Sequence, residues 1–278
     1  FADGIFQKKC ENFIKKKINS QFIALTQNCT SALEISMILI NLKKDDEDEG
    51  PFKGQSAKQL YHDANIALKK KNYTGAIKRF EAMETMYPFH DNAEKAELKL
   101  LYAYYEKEDY SSAGASAERF IHLYPRAKHV DYAHYIKAMS NFHQLRGPIA
   151  TILPMDQSYR DPGTQSQAYS DFATLVQLFP NSEYAADSAQ HMVYLRNMFA
   201  QSELNVSKYY YERRRYVAAA ERASYLIQTY PQAPSIKEAL GVLFHANKAL
   251  GLQSAALDAQ HVYQKTYGGN EPPEVSFL

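Results

Sequence analysis

An aromatic residue followed directly by proline recurs along this chain, and that recurrence limits the fold more than any other feature. The pairs are Tyr87-Pro88, Tyr124-Pro125, Phe179-Pro180 and Tyr230-Pro231, with Tyr267-Gly268 as a degenerate last copy. The steps between them are 37, 55, 51 and 37 residues. Fifteen residues before three of the prolines stands a tyrosine, Tyr73, Tyr110 or Tyr216, and three positions further a small residue, Ala76, Ala113 or Ala219. Phe80, Ala117 and Ala223 follow, with Phe120 and Leu226 carrying the bulk in the latter two copies; the last copy keeps Ala256, Leu257 and Tyr263. Small and large residues therefore alternate at helical spacing, and a proline stops the helix by removing a donor and clashing with the preceding turn.

A repeat of about 34 residues with this skeleton is the tetratricopeptide pattern, a helix–turn–helix unit. Small residues stand where helices A and B of a unit cross closely, and large ones fill the space between units. The spacing predicts an all-α tetratricopeptide-repeat solenoid of about five units: 56–88, 91–125, 128–180, 182–231 and 235–268. Residues 1–50 read as an atypical leader and acidic tether, and 269–278 as a disordered tail. In unit one, Leu60, Ala64, Ala67 and Leu68 belong to helix A, and Ala76, Ile77, Phe80 and Met83 to helix B. Unit four has a long helix A, from about Tyr184 to Tyr211.

The 55-residue step implies an insertion in unit three. Helix A there ends near His143 and helix B begins near Gln165, with Ala168, Phe172 and Leu175 in the repeat slots. Between them Gln144–Thr164 carries Gly147, Pro148, Pro154, Pro162 and Gly163. A loop of that length inside a compact repeat is uncommon and often functional, a tolerated surface insertion being the plainer reading. The runs Lys69-Lys70-Lys71, Glu106-Lys107-Glu108 and Glu212-Arg213-Arg214 occupy one slot, the turn between helices A and B. Their signs differ, so solvation of a turn explains them better than one shared anionic ligand. The tyrosines at 102–105, 132–135 and 209–211 read mainly as packing, with some left for a peptide-binding groove.

Composition excludes several functions. Lys plus Arg number 32 against 31 for Asp plus Glu, a net charge of +1, which removes the basic face that nucleic-acid binding needs. No run of about 18 apolar residues writes a membrane-spanning helix. Both cysteines, Cys10 and Cys29, fall in the N-terminal stretch, leaving the repeats without thiol chemistry. No Gly-rich phosphate loop, G-x-S-x-G, H-E-x-x-H or C-x-x-C is written, and His129 and His134 are five apart, off one helical face. A scaffold without cofactor, metal or catalytic residue is the reading.

The segment Arg119-Phe120-Ile121-His122-Leu123-Tyr124-Pro125 and the following Val130-Asp131-Tyr132-Ala133 resemble the BamD family, lipoproteins of the bacterial β-barrel assembly machinery. Tyr87-Pro88-Phe89, Tyr102-Ala103-Tyr104-Tyr105, Arg160-Asp161-Pro162, Pro180-Asn181-Ser182-Glu183-Tyr184 and Tyr209–Arg213 extend the resemblance over roughly residues 55 to 268. It implies a non-enzymatic scaffold on the periplasmic face of the outer membrane. Such a scaffold binds the POTRA domains of BamA, other assembly-machinery lipoproteins, and unfolded outer-membrane proteins through their C-terminal targeting segment. The resemblance associates Tyr87 and Arg119 with substrate, and Arg222, Arg213, Arg160 and Asp161 with partner contact.

It also implies a lipid anchor on a leader cysteine. Cys29, preceded by Leu25-Thr26-Gln27-Asn28, is a poor candidate, because the usual order of basic, apolar and small-residue segments is broken in residues 1–44. The acidic run from Asp45 onward resembles the family's mature beginning. One rival is a periplasmic tetratricopeptide coordinator of cell-envelope or division partners. Another is a cytoplasmic co-chaperone clamping a terminal carboxylate, for which Asn65 is an isolated candidate.

Overall fold

A computed structural model describes residues 54–144 and 163–276, together with Phe52. The described residues hold ten helices and no strand: α1 (Ala57–Lys69), α2 (Tyr73–Met86), α3 (Ala93–Glu106), α4 (Tyr110–Leu123) and α5 (Val130–Gln144), then α6 (Gly163–Leu178), α7 (Ala185–Glu212), α8 (Tyr216–Thr229), α9 (Ile236–Ala249) and α10 (Gln253–Tyr267). Each packs on the next, forming a tetratricopeptide-like array of helix pairs. Two of the A helices also touch the following A helix, α3 on α5 and α7 on α9, whereas no two B helices pack comparably. The A row is thus the tighter side of the stack.

The recurring sequence signals become recurring backbone devices. At the A-to-B turn, Lys71, Glu108 and Arg214 adopt φ of 56°, 63° and 57°, and Gly251 takes the same place at 75°. Around each, two backbone N–H groups reach back into the ending helix, as in Lys71 to Leu68 (2.9 Å) and Asn72 to Ala67 (2.9 Å). This is the paired closure that satisfies the last carbonyls of a helix. Each charged run is therefore an exposed helix end and turn whose last residue, Lys71, Glu108 or Arg214, is held in the left-handed region. At the B-to-A turn, the carbonyls of Tyr87, Tyr124, Phe179 and Tyr230 each accept from the N–H three residues on, at 3.0–3.2 Å. The acceptor's turn partner then accepts in the same way from the first residue of the next A helix.

Burial follows the small-and-large code. Ala76, Ala113, Ala168 and Ala219 are fully buried at equivalent positions. In the next two slots the first alternates between a ring and alanine while the second is always bulky: Phe80 with Met83, Ala117 with Phe120, Phe172 with Leu175, and Ala223 with Leu226, all buried. No unit is small in both slots, so none of the crossings is left with a void. The repeat length also appears in side-chain hydrogen bonds between units. Tyr73 to Glu106 (3.0 Å) spans 33 residues, Ser235 to Gln201 (2.8 Å) 34, and Arg196 to Gln232 (2.8 Å) 36. Tyr135 to Asp187 (2.7 Å) spans 52, because the inserted stretch lies between them.

Two expectations need correction. Helix α6 begins at Gly163, two residues before Gln165, so Gly163 and Thr164 are helical. Residues 269–276 are not a loose tail: Pro272 is buried and Val275 packs against the core of α7–α9. The expected leader and tether, Cys10, Cys29, and the inserted Arg160 and Asp161 lie outside the described residues.

Candidate binding surfaces

Helices α2, α3 and α4 bring three charged side chains together. Glu84 stands in the last turn of α2, Glu97 in the first half of α3, and Arg119 toward the end of α4. The Arg119 guanidinium forks onto Glu84, Nη1 to Oε1 and Nη2 to Oε2 (2.6 Å), and Nη2 also donates to Glu97 Oε2 at 3.4 Å. A planar fork matched to a carboxylate is among the stronger hydrogen-bonded pairs. The Glu97 side chain is only 7% exposed, whereas Arg119 remains 41% exposed. Burial pushes the Glu97 carboxyl above its ordinary range; Arg119 opposes the shift and the nearby Glu84 charge adds to it. Burial also works against the Arg119 charge, but its two carboxylates outweigh that and raise its pKa.

Two cavities meet at this cluster, sharing Glu84 and Leu100. One, about 400 Å³, is lined by Phe80, Met83, Pro88, Phe89, Leu123 and Tyr124, with Glu84 and Glu97 in its wall. Phe89 at its rim is 99% exposed, and Leu123 is largely exposed beside it. The other, about 540 Å³, is lined by Glu81, Thr85, Tyr104, Ser112, Ser116 and Arg119. Among the described residues, Arg119 Nε and Ser116 Oγ are buried without a hydrogen-bond partner. A buried donor left unpaired is costly to the fold. The exposed Phe89 and Leu123 beside the cavity offer an apolar contact to a peptide side chain.

Tyr87 has a different position. It caps the end of α2, its N–H donating to the Met83 carbonyl at 2.8 Å, and its ring is half-buried against the first core cluster. Tyr124 and Tyr230 hold the same backbone place, which makes the aromatic at this slot a turn device. Its neighbours Pro88 and Phe89 line the apolar cavity. Sequence periodicity could single out Arg119 only through resemblance, and it missed Glu84, Glu97 and Phe89. Glu97 reads as an ordinary helix-surface acid until α2 and α4 are packed around it.

At the other end, Arg222 on α8 donates to Glu203 on α7 at 3.1 and 3.4 Å, and its side chain is 49% exposed. Glu203 also lines a cavity of about 430 Å³ with Tyr169, Arg196, Phe199, Thr229 and Tyr230, drawn from α6, α7 and α8. Arg213 is elsewhere: it caps α7 in the exposed turn, with its guanidinium 4.5 Å over the Tyr209 ring. Asn65 accepts from Lys99 across α1 and α3 and donates to the Tyr61 carbonyl, so its amide is engaged within the chain.

The A-row tyrosines divide by exposure. Tyr135 stacks on Tyr184 at 4.8 Å and Tyr132 tilts against it at 5.5 Å, while Tyr102 and Tyr209 are exposed. Burial, with neighbouring tyrosines and acids, pushes Tyr105 up to about 12. Burial, a hydrogen bond to Glu183 and nearby carboxylates do the same for Tyr184, also to about 12. These rings stay neutral and serve as packing and hydrogen-bonding surface. Among the described residues no cluster of three or more His, Cys, Asp or Glu is placed to hold a metal ion, and no helix is long and apolar enough to cross a membrane.

The YfiO family, described as outer membrane lipoprotein, matches residues 53–262. A protein of Xylella fastidiosa (strain Temecula1) named outer membrane protein assembly factor BamD is 37% identical over 211 residues, covering 76% of this chain and 72% of its own. Proteins of the same name from Neisseria meningitidis serogroup A and Vibrio cholerae are 35% and 34% identical. They cover 80% and 71% of this chain, and 83% and 82% of their own lengths. Among solved structures, the crystal structure of MamA protein covers 76% of this chain and 92% of that one at 16% identity and a TM-score of 0.30, a likeness too low to carry an inference. Matched across most of its length, with ten described helices arrayed as its repeats require, this chain belongs to the YfiO family of outer membrane lipoproteins, whose relatives here are BamD assembly factors.

Proposed function

We propose that this chain is a non-enzymatic scaffold in the assembly of outer-membrane β-barrel proteins, held at the periplasmic face of the outer membrane by an N-terminal lipid. The α1–α4 region receives the C-terminal targeting segment of an unfolded substrate, and the α6–α10 region docks the POTRA domains of BamA. One acyl chain anchors only marginally, so protein partners add to its hold on the membrane. The names of the relatives support the role. The observation that carries the substrate reading is Arg119: half-exposed, forked onto Glu84, with Nε unpaired, and set beside an open apolar cavity. A peptide carboxylate exchanges with Glu84 on the guanidinium while an apolar side chain of the segment enters the cavity lined by Phe89 and Leu123.

Calorimetric titration tests both ends. Purified POTRA domains of the cognate BamA bind one to one, and Arg222→Glu weakens them about tenfold or more. Because Arg222 is paired with Glu203, Glu203→Arg combined with Arg222→Glu restores the internal pair with reversed signs. Weakened binding that persists in this double variant assigns Arg222 to the partner rather than to the fold. A substrate C-terminal peptide binds more tightly to Glu84→Gln and less tightly to Arg119→Gln. No POTRA binding by a folded, helical sample removes the assembly reading.

A further inference from the structure

Gly241 sits in the middle of α9 with ordinary helical backbone, where no turn requires a glycine. Glycine there weakens a helix relative to alanine, so a packing reason is needed. In the other A helices the equivalent positions, ten residues after the proline, carry Leu98, Tyr135 and Gln190. At Gly241 the missing side chain is replaced by the chain's own tail. A Cβ would meet the Pro273 carbonyl oxygen at 2.5 Å and its ring Cγ at 3.2 Å, and no other residue supplies one of the three nearest atoms.

The tail reaches this place by a built route. Gly268 and Gly269 turn the chain at φ of 72° and 92°, and the Asn270 carbonyl accepts from Gln260 and Gln264 of α10 at 2.6 and 2.8 Å. Pro272 is then buried, Pro273 lies on Gly241, and Val275 packs into the core cluster that α7, α8 and α9 share. Consecutive prolines stiffen such a segment in an extended form that lies across helices without secondary structure of its own. Helices α7 and α9 are A helices in direct contact, so this strip lies on the row that a solenoid turns toward its ligands.

We propose that the strip of α7 and α9 around Gly241 is a docking groove for an extended, proline-containing peptide with apolar side chains, and that residues 271–276 occupy it in cis. A partner segment of the same chemistry binds when the tail leaves. This stands on the tail's contacts and does not rest on the assembly role. The tail competes as a tethered ligand at an effective concentration on the order of millimolar, which hides the groove from free peptide.

The test uses the full chain and a fluorescently labelled peptide of residues Asn270–Ser276, followed by anisotropy. Val275→Asp loosens the tail without altering the groove, and it raises peptide affinity at least tenfold over the unaltered chain. Adding Gly241→Ala to that variant returns affinity to the starting level, because the new methyl stands where Pro273 must lie. Alanine favours helix over glycine, so loss of binding at unchanged helicity is not unfolding. Equal affinity in the unaltered and Val275→Asp chains, both helical, overturns the proposal and leaves the tail as a seal on the last repeat. Binding that survives Gly241→Ala overturns it as well.

Discussion

The first two helix pairs and the last two use the same repeat and hold it together differently. In α1–α4, polar groups do much of the local work. Asn72 and Asp109 cap α2 and α4 through side-chain oxygens, Ser56 and Gln59 form a reciprocal box at α1, and Glu84, Arg119 and Glu97 tie three helices. In α7–α10 the corresponding cap positions are Arg215 and Leu252, and neither supplies a side-chain cap. Their backbone angles nonetheless match those of Asn72 and Asp109. That end keeps ion pairs, Arg222 with Glu203 and Lys208 with Glu238, and adds one continuous apolar cluster, from Ala200 and Leu204 through Leu226 and Leu240 to Tyr263, sealed by the tail. Cavities stand open beside the ion pairs at both ends, at Glu84 and at Glu203, whereas the continuous cluster is covered by the tail. The same repeat is therefore held by side-chain caps at one end and by a continuous apolar cluster at the other.

The contrast can be broken or sharpened by substitution. The largest effects come from the core: Phe80→Ala costs about 4 kcal/mol and Leu226→Ala about 3 kcal/mol in denaturant unfolding, because each empties a fully buried slot. If Leu226→Ala proves the milder by far, the C-terminal cluster repacks and is less rigid than its continuity implies. Next is Arg119→Ala, which costs about 2 kcal/mol at neutral pH by leaving Glu97 buried without its cation.

The pH dependence carries a definite sign. Glu97 has a folded pKa above its unfolded one, so the native state binds more protons between the two. Its contribution to stability grows as pH falls through the folded value and is complete below the ordinary carboxylate range. Glu97→Gln removes that slope from melting curves taken across the window, and a slope left unchanged would place its origin in another group.

Smaller effects test the caps. Asn72→Ala and Asp109→Ala each lose about 1 kcal/mol, whereas Arg215→Asp gains up to about 1 kcal/mol by supplying the missing cap on a backbone already shaped for it. Smallest of all, Glu108→Gly and Arg214→Gly each gain about 0.5 kcal/mol in thermal melts, since glycine relieves the left-handed conformation that both residues hold.

Much of the fold is legible in the chain because its signals are local. Aromatic–proline pairs mark where helices stop, and small residues such as Ala113 mark where helices cross; both act within one unit, through sterics that neighbouring sequence already contains. The insertion in unit three shows as a broken period for the same reason. The candidate sites are less legible. Arg119 stands out only by resemblance to a family, and Glu97 becomes a buried acid only once α2 and α4 close over α3, whereas the turn role that Tyr87 shares with Tyr124 and Tyr230 is legible in the recurring pairs.

The all-α repeat, its helix stops and its crossing points are written in local spacing, because each depends on residues within a few turns of one another; the family is written in strings spread along the chain. Tertiary structure alone decided which carboxylates meet Arg119, which tyrosines stay exposed, and why α9 carries Gly241. Those contacts join residues 22 to 35 positions apart for Arg119, and about 30 for the tail on Gly241. No local rule pairs groups at such distances; stacking one repeat on the next does.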